Sequence, residues 1–335
     1  MRLSRVLFGV FGTIAVSAIL GGLGLMALMH HSFTAAGPMP NGDTETVINI
    51  PRGTGLSAIS RNLENEGVVT SALIFQIGVR LSGGATDLKA GEYAIPPGAS
   101  MQEIMDLFRS GLSILHKLTV PEGLTSSQIM RLVDAHEILV GELPEALPEE
   151  GDLLPETYLF SRGETRDGVI RQMAEAHDKV LAELWAGRQE DLPISTPYEA
   201  VILASIVEKE TGVAEERPRV ASVFINRLRR GMRLQSDPTI IYGLTKGEPL
   251  GRGIRQSELD RETPYNTYFI DGLPPTPIAN PGRAALAAVL NPPETKDLYF
   301  VADGTGGHVF AETLRQHQRN VAAWRRIERD RKRQN

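Results

Sequence analysis

Thr196-Pro197-Tyr198-Glu199-Ala200-Val201-Ile202-Leu203-Ala204-Ser205-Ile206-Val207-Glu208-Lys209-Glu210-Thr211 is the stretch on which the fold of this chain turns. It opens as a helix start. Thr196 serves as N-cap, Pro197 takes the first helical position, where a missing N–H costs nothing, and Glu199 closes a capping box. The run 200–207 is apolar on every side, which predicts a buried central helix and not an amphipathic surface one. That helix ends in Glu208, Lys209 and Glu210, and acids on a core helix are costly unless paired or put to use. At about 100° per residue the two glutamates project about 200° apart, so they cannot serve one site as a close acid pair. Glu210 follows the side of Leu203, Ile206 and Val207, whereas Glu208 continues that of Val201 and Ala204. With the helix apolar all round, geometry favours Glu210 only slightly as the cleft residue, and an exposed charged last turn with Lys209 is the stronger reading of this stretch taken alone.

Working back from this helix, three segments share one pattern: Val47-Ile48-Asn49-Ile50-Pro51-Arg52-Gly53, Tyr93-Ala94-Ile95-Pro96-Pro97-Gly98 and Leu118-Thr119-Val120-Pro121-Glu122-Gly123. Each reads as a strand and then a Pro-x-Gly turn. An Ile follows eight residues after the proline (Ile59, Ile104, Ile129), with an apolar residue four further on (Leu63, Phe108, Val133), the i, i+4 spacing of one helix face. A β-turn-α element is therefore used three times. Residues 71–81 add a helix between the first two copies, so residues 45–110 read strand, helix, helix, strand. That order, with its opening Ile-Pro-x-Gly, resembles a LysM domain, a module that commonly binds glycan; a supporting subdomain with no ligand fits the same residues.

Further back, residues 6–29 contain no charge over 24 positions, and about 20 suffice to cross the hydrocarbon core as a helix. The run is expected to be an uncleaved membrane anchor. A cleaved signal peptide is the competing reading, but its apolar region is shorter and Phe33-Thr34-Ala35-Ala36 is a poor cleavage site. Arg2 and Arg5 precede the run and no acid does, which places residues 1–5 in the cytoplasm and everything after residue 30 outside. Residues 30–44, rich in Gly and Pro, read as an extended linker.

The whole chain has 335 residues, 41% hydrophobic and 23% charged, which excludes global disorder and a many-span membrane protein and suits one large or two ordinary domains. Its net charge of −6 argues against the broad basic face of a nucleic-acid binder. No cysteine is present, which excludes disulfides, thiolate nucleophiles and Cys-ligated zinc and suits an oxidising compartment. Metalloprotease, calcium-loop, phosphate-loop and serine-hydrolase motifs are missing as well, so neither metal nor cofactor is expected. The basic residues 325–333 read as a solvated terminal helix, with contact to anionic lipid or an acidic wall as the lesser alternative.

The string Ala204-Ser205-Ile206-Val207-Glu208-Lys209-Glu210-Thr211 does not stand alone. Pro155-Glu156-Thr157-Tyr158 precedes it. It is followed in order by Val223-Phe224-Ile225-Asn226-Arg227-Leu228, Gly231-Met232-Arg233-Leu234-Gln235-Ser236-Asp237-Pro238-Thr239, Thr263-Pro264-Tyr265-Asn266-Thr267-Tyr268, Ile278-Ala279-Asn280-Pro281-Gly282 and Leu298-Tyr299-Phe300-Val301-Ala302-Asp303-Gly304. Together these blocks resemble the endolytic murein transglycosylases of the YceG-like family over residues 45–325. The resemblance implies an α+β fold: a single transmembrane helix at 6–29, a small LysM-like βααβ subdomain at 45–117 and a larger α+β catalytic domain at 118–335.

It also implies a lyase of the inner (plasma) membrane, with the bulk of the chain periplasmic. Such an enzyme cuts nascent peptidoglycan strands between N-acetylmuramic acid and N-acetylglucosamine, leaves a 1,6-anhydro end and so terminates elongation. Peptidoglycan strands are the implied partner, with peptidoglycan synthases or division proteins as further ones and no nucleic acid. By the family's motif Glu210 is the catalytic residue. One carboxyl group is enough for this reaction, acting as acid toward the departing oxygen and then as base toward the sugar's own C6 hydroxyl. Gln235, Ser236, Asp237, Tyr265 and Asn266 are the candidates for glycan binding, which relies on amides, hydroxyls, carboxylates and aromatic faces. Asp237-Pro238 reads equally as the start of a short helix through Tyr242. Asn280-Pro281-Gly282 reads as a cap for an Ala-rich helix at 283–290, and His308 as structural. Two other readings stay open: a non-catalytic glycan-binding scaffold, and a hydrolase with Glu156 or Asp237 as second carboxylate.

Overall fold

The computed structural model describes residues 2–84 and 86–334, except the side chains of residues 2–15, 332 and 334; the expectations for Met1, for the charges of Arg2 and Arg5 and for the first side chains of the anchor lie outside the described residues. The protein mixes helices and strands and divides into two units, one running to His116 and including Leu159–Glu164, the other comprising Lys117–Tyr158 and Thr165 onward.

The first unit contains α1 (Arg2–Thr34), β1 (Thr46–Ile50), α2 (Leu56–Asn65), α3 (Ala72–Leu81), β2 (Gly91–Ile95) and α4 (Met101–Ser110). β1 pairs antiparallel with β2, with Ile48 opposite Tyr93 and Ile50 opposite Gly91. Residues Thr46, Ile48 and Ile50 point inward and Val47 and Asn49 outward, the period-2 alternation of a half-buried strand. Ile59, Leu63, Phe75, Val79, Tyr93, Ile104 and Phe108 form the core beneath. The strand–helix–helix–strand order of the sequence reading is thus present, each helix presenting its i, i+4 apolar pair inward.

Residues 30–44 depart from the extended linker expected of them. α1 continues through Thr34, and Phe33 is buried against Phe75, with ring centroids 6.4 Å apart. Gly78 permits the approach, because a Cβ there would meet the Phe33 ring at 2.3 Å. Gly37 N–H donates to the Gly98 carbonyl at 3.0 Å, tying down the next stretch. An aromatic ring and a ladder-like hydrogen bond outweigh what Gly and Pro content alone predicts.

β3 (Leu115–Thr119) pairs with β4 (Thr157–Ser161), and the unit boundaries fall inside both strands. The second unit adds α5 (Ser126–Asp134), α6 (Arg166–Ala186), α7 (Pro197–Glu210), α8 (Arg217–Arg229), α9 (Asp237–Thr245), α10 (Gln256–Leu259), α11 (Arg283–Leu290), the hairpin β5 (Tyr299–Ala302) and β6 (His308–Ala311), and α12 (Leu314–Gln334). All three Pro-x-Gly turns occur where expected: Gly53, Gly98 and Gly123 have φ of 80°, 73° and 76°, a region open to glycine at little cost. α4 and α5 then start on capping boxes from Ser100 and Thr125.

α7 is the pillar of the second unit. Its capping box is formed by Thr196 and Glu199, and every residue from Ala200 to Val207 is buried, packed against α8 and α11. Ser205, the one hydroxyl among them, donates to the Ile202 carbonyl at 2.7 Å and accepts from Ile278 N–H at 2.9 Å, which pins the loop before α11 to the pillar. Thr196→Ala removes the acceptor for Glu199 N–H and is expected to cost about 1 kcal/mol in a denaturant titration, with the midpoint shifting at constant slope.

Candidate active site

Glu210 is the last residue of α7, and its side chain opens into a cleft of about 440 Å³. α8 contributes Arg227 to the lining, the loop after it Leu234 and Gln235, and α9 its first residue Asp237. Tyr268 comes from a loop, Tyr299 from β5, and Leu314 and His317 from the start of α12. Ser236 lies between two of these and donates its hydroxyl to Glu210 Oε1 at 2.5 Å.

The placement of Ser236 corrects one sequence expectation. Ser236, not Asp237, is the N-cap of α9, which runs on past Tyr242 to Thr245, yet its side chain makes no capping bond. The hydroxyl that would satisfy the helix is turned to Glu210 instead. Its position is fixed by its main chain: Ser236 N–H donates to Thr267 Oγ1 at 2.9 Å, and Thr239 Oγ1 donates to the Ser236 carbonyl at 2.7 Å. Gln235, just before, has φ of 50° and donates its N–H to the Thr267 carbonyl at 3.1 Å. A non-glycine residue in the left-handed region costs roughly 1 kcal/mol or more and persists only where its surroundings impose it.

Burial pushes the Glu210 carboxyl up to about 7; the Ser236 hydrogen bond opposes the rise and the charge of Asp237 adds to it. A raised carboxyl does not by itself mark a catalyst, since Glu150 and Glu208 are also raised by burial. Their oxygens, however, are consumed internally. Glu150 accepts from Ser126 N–H at 2.7 Å and from the Tyr242 hydroxyl at 3.1 Å, while Glu208 pairs with Arg217 at 3.3 Å and accepts from Gly282 N–H at 2.9 Å. Glu210 lines this cleft and the other two do not, and it has one hydroxyl as its hydrogen-bond partner among the described residues.

Of the candidate binding residues, Gln235, Ser236 and Asp237 come together at Glu210, and Tyr265 and Asn266 do not. Asn266 is 1% exposed; its amide donates to the carbonyls of Leu259 and Arg261 at 2.9 and 2.7 Å, and its oxygen accepts from Tyr268 N–H at 3.0 Å. It shapes the loop that presents Tyr268. The Tyr265 hydroxyl bonds Thr276 at 2.9 Å, and its ring packs edge-on against Tyr242. Of the expected cap block 280–282, Gly282 is the N-cap of α11, while Asn280 is fully buried and clamps two loops, accepting from Gly151 and Leu153 N–H at 3.1 and 2.9 Å. Both ring N and main-chain N of His308 engage Glu216 at 2.8 Å, in keeping with a structural role.

Sequence reasoning missed four polar lining residues, Tyr268, Arg227, Tyr299 and His317. Tyr268 donates its hydroxyl to Asp237 Oδ1 at 2.7 Å, and burial, then Asp237, raises its phenol. Arg227 is buried, with Nε and Nη1 donating to the carbonyls of Leu298 and Leu234 at 2.7 and 2.6 Å. Its guanidinium lies 5.2 Å from the Tyr299 ring, which in turn stacks on His317 at 5.1 Å. An arginine two residues beyond the buried run Val220–Ile225 of α8 and a tyrosine two residues after Asn266 were the available signals.

A single protonatable glutamate at the end of a buried helix, steadied by one hydroxyl and facing a polar cleft, is the arrangement of an acid–base catalyst. No group of His, Cys, Asp and Glu able to hold a metal occurs among the described residues. The chain belongs to the YceG-like family, which matches residues 48–323. It is 30% identical to a protein of Bacillus subtilis (strain 168) named endolytic murein transglycosylase, over 82% of this chain and 84% of that one. Another protein of that name, from Streptococcus pneumoniae, is 32% identical over 84% of this chain and 59% of its own length. The crystal structure of a putative YceG-like protein from Listeria monocytogenes is similar, with a TM-score of 0.51 and 29% identity over 82% of this chain and 98% of that chain.

Ser236→Ala tests how Glu210 is tuned. The hydrogen bond favours the carboxylate, so its loss raises the carboxyl further, and the acid form survives to higher pH. The alkaline limb of the pH profile of kcat/KM is expected to move upward while the rate falls; a limb that stays or moves down contradicts the assignment.

Proposed function

We propose that the chain is a membrane-anchored endolytic transglycosylase of peptidoglycan and that Glu210 is its catalytic residue. The observation that carries the reading is Glu210 itself, set beside an open cleft with its carboxyl pushed up by burial to about 7. Ser236 occupies Oε1 and leaves Oε2 for the chemistry. The protonated carboxyl gives its proton to the glycosidic oxygen as the C1–O4 bond breaks. The carboxylate then takes the proton of the same muramic acid's C6 hydroxyl, whose oxygen bonds to C1. The acid is restored, no water is consumed, and a 1,6-anhydro end remains. Asp237 and Tyr268, hydrogen-bonded to each other on the wall, are the groups we assign to the sugar, with Gln235 beside them.

The family relatives named endolytic murein transglycosylase support the substrate and the internal position of the cut. The helix window Val16–Thr34 is long and apolar enough to cross a membrane and supports the anchor, with the amino terminus cytoplasmic and the two units outside. The βααβ order of the first unit supports the LysM-like assignment, with glycan as the ligand.

A second reading has one specific observation in its favour. Asp237 shares the cleft with Glu210 and gives a hydrolase its second carboxylate; Glu156 is outside the cleft, bonded to its neighbour Thr157 N–H. Mass analysis of fragments released from intact uncross-linked glycan separates the two: anhydro ends mean transglycosylation, reducing ends mean hydrolysis, and binding without fragments means a scaffold.

A further inference from the structure

α3 carries two apolar stripes. Ala72, Phe75 and Val79 are buried in the core of the first unit. Ile74, Ile77 and Leu81 recur at the i, i+3, i+7 spacing of a different face; Leu81, and Leu73 about two turns before it, are 77% and 64% exposed. This second face looks into a groove of about 550 Å³ whose opposite wall is α1, through Gly22, Leu25, Met26, Met29 and Phe33. The groove is lined almost wholly by apolar side chains, and contiguous exposed apolar surface of this kind marks an interaction site.

What covers the groove follows from its α1 wall. The α1 wall of the groove belongs to the helix window Val16–Thr34, which is 6% buried within the protein and has a mean hydropathy of 1.4. A bilayer core of about 30 Å takes about 20 helical residues at 1.5 Å each. With the uncharged run at 6–29 centred in that layer, Gly22, Leu25 and Met26 lie in its distal half and Met29 to Phe33 at the headgroups. Phe33 is locked against Gly78 in the middle of α3, so α3 shares that depth.

We propose that α3 is an interfacial helix and that phospholipid acyl chains of the leaflet next to the folded units fill the groove between α3 and α1. The proposal rests on the anchor reading above. Exposed Arg80 on α3 has a stem long enough to bring its charge to the phosphates while Leu73 and Leu81 enter the acyl boundary. The first unit is then held at a fixed depth by two elements, where a single span through a flexible linker leaves it free to move.

The chain has no cysteine, so full-length variants Leu20→Cys, Leu73→Cys, Leu81→Cys and Leu147→Cys each take one nitroxide without background. In vesicles of phosphatidylethanolamine and phosphatidylglycerol, collision with oxygen reports lipid and collision with a nickel chelate reports water. The expected oxygen-to-nickel ratio at 73 and 81 is several-fold above that at 147, an exposed position of the second unit, and of the same class as at 20. Aqueous values at 73 and 81 with a lipid value at 20 overturn the proposal and leave the anchor standing. Shielding of 73 and 81 from both reagents also overturns it, since protein, a second copy or another helix, then fills the groove. An aqueous value at 20 removes the anchor reading and the proposal together.

Discussion

Glu210→Gln is expected to abolish release of anhydro-ended fragments while the chain folds normally. Glu210 is assigned both proton transfers, each worth about 10²–10⁴-fold, so the loss should be at least about 10³-fold in kcat. Glutamine keeps the shape and can still accept from Ser236, which makes misfolding a poor explanation of inactivity. Stability provides the second readout. The folded carboxyl titrates at about 7 against an ordinary value of 4.5. Its contribution is therefore fully present below pH 4.5 and is lost as pH rises through 7, because the unfolded chain ionises first. Above pH 8 the wild type carries a burial penalty on the order of 3 kcal/mol that the amide avoids. Glu210→Gln should thus be more stable than wild type at alkaline pH, with the difference closing toward pH 4.5. An inactive variant that is also less stable across this range points to a structural role; retained activity moves the assignment to Asp237, to be tested as Asp237→Asn.

The parts legible in the sequence were those where local chemistry and tertiary demand agree. Thr196, Pro197 and Glu199 start α7 by contacts within four residues, and Ile59, Ile104 and Ile129 reach the core by helix periodicity alone. The failures lie where a residue answers to a distant partner. Ser236 has the chemistry of an N-cap and the position of one, but its hydroxyl serves Glu210, 26 residues earlier. Asn280 looks like a cap and is spent on Gly151 and Leu153, well over a hundred residues away. Arg227, Tyr299 and His317 meet only because β5 and α12 return to α8, a pairing no spacing encodes. A helix start that gives up its own cap for a carboxylate is a local rule broken at the place we propose as the active site, and functional sites are where such breaks are expected.

Arg217→Met is expected to cost about 3–5 kcal/mol, the usual effect of leaving a buried charge without its partner. Arg217 Nη2 stands 3.3 Å from both Glu208 Oε1 and Glu122 Oε2; the side chains of Arg217 and Glu208 are 10% and 4% exposed, that of Glu122 42%. With the guanidinium gone, Glu208 keeps only Gly282 N–H and must either hold a buried charge or take up a proton. Burial already raises its carboxyl, and Arg217 opposes that rise, so the variant raises it further. The deficit relative to wild type should accordingly shrink as pH falls and Glu208 becomes neutral, and grow toward pH 8, which a series of denaturant titrations reads directly. A deficit independent of pH means that lost packing of the arginine stem, not the charge, accounts for it. Glu208→Gln, on the far side of α7 from the cleft, should lower stability yet keep kcat per folded molecule. Two acids separated by one lysine then divide cleanly, Glu208 holding the pillar to the loop before α11 and Glu210 left costly to the fold because the proposed reaction needs it protonated. If Glu208→Gln removes activity from folded protein as fully as Glu210→Gln does, that division fails and both carboxylates belong to one site.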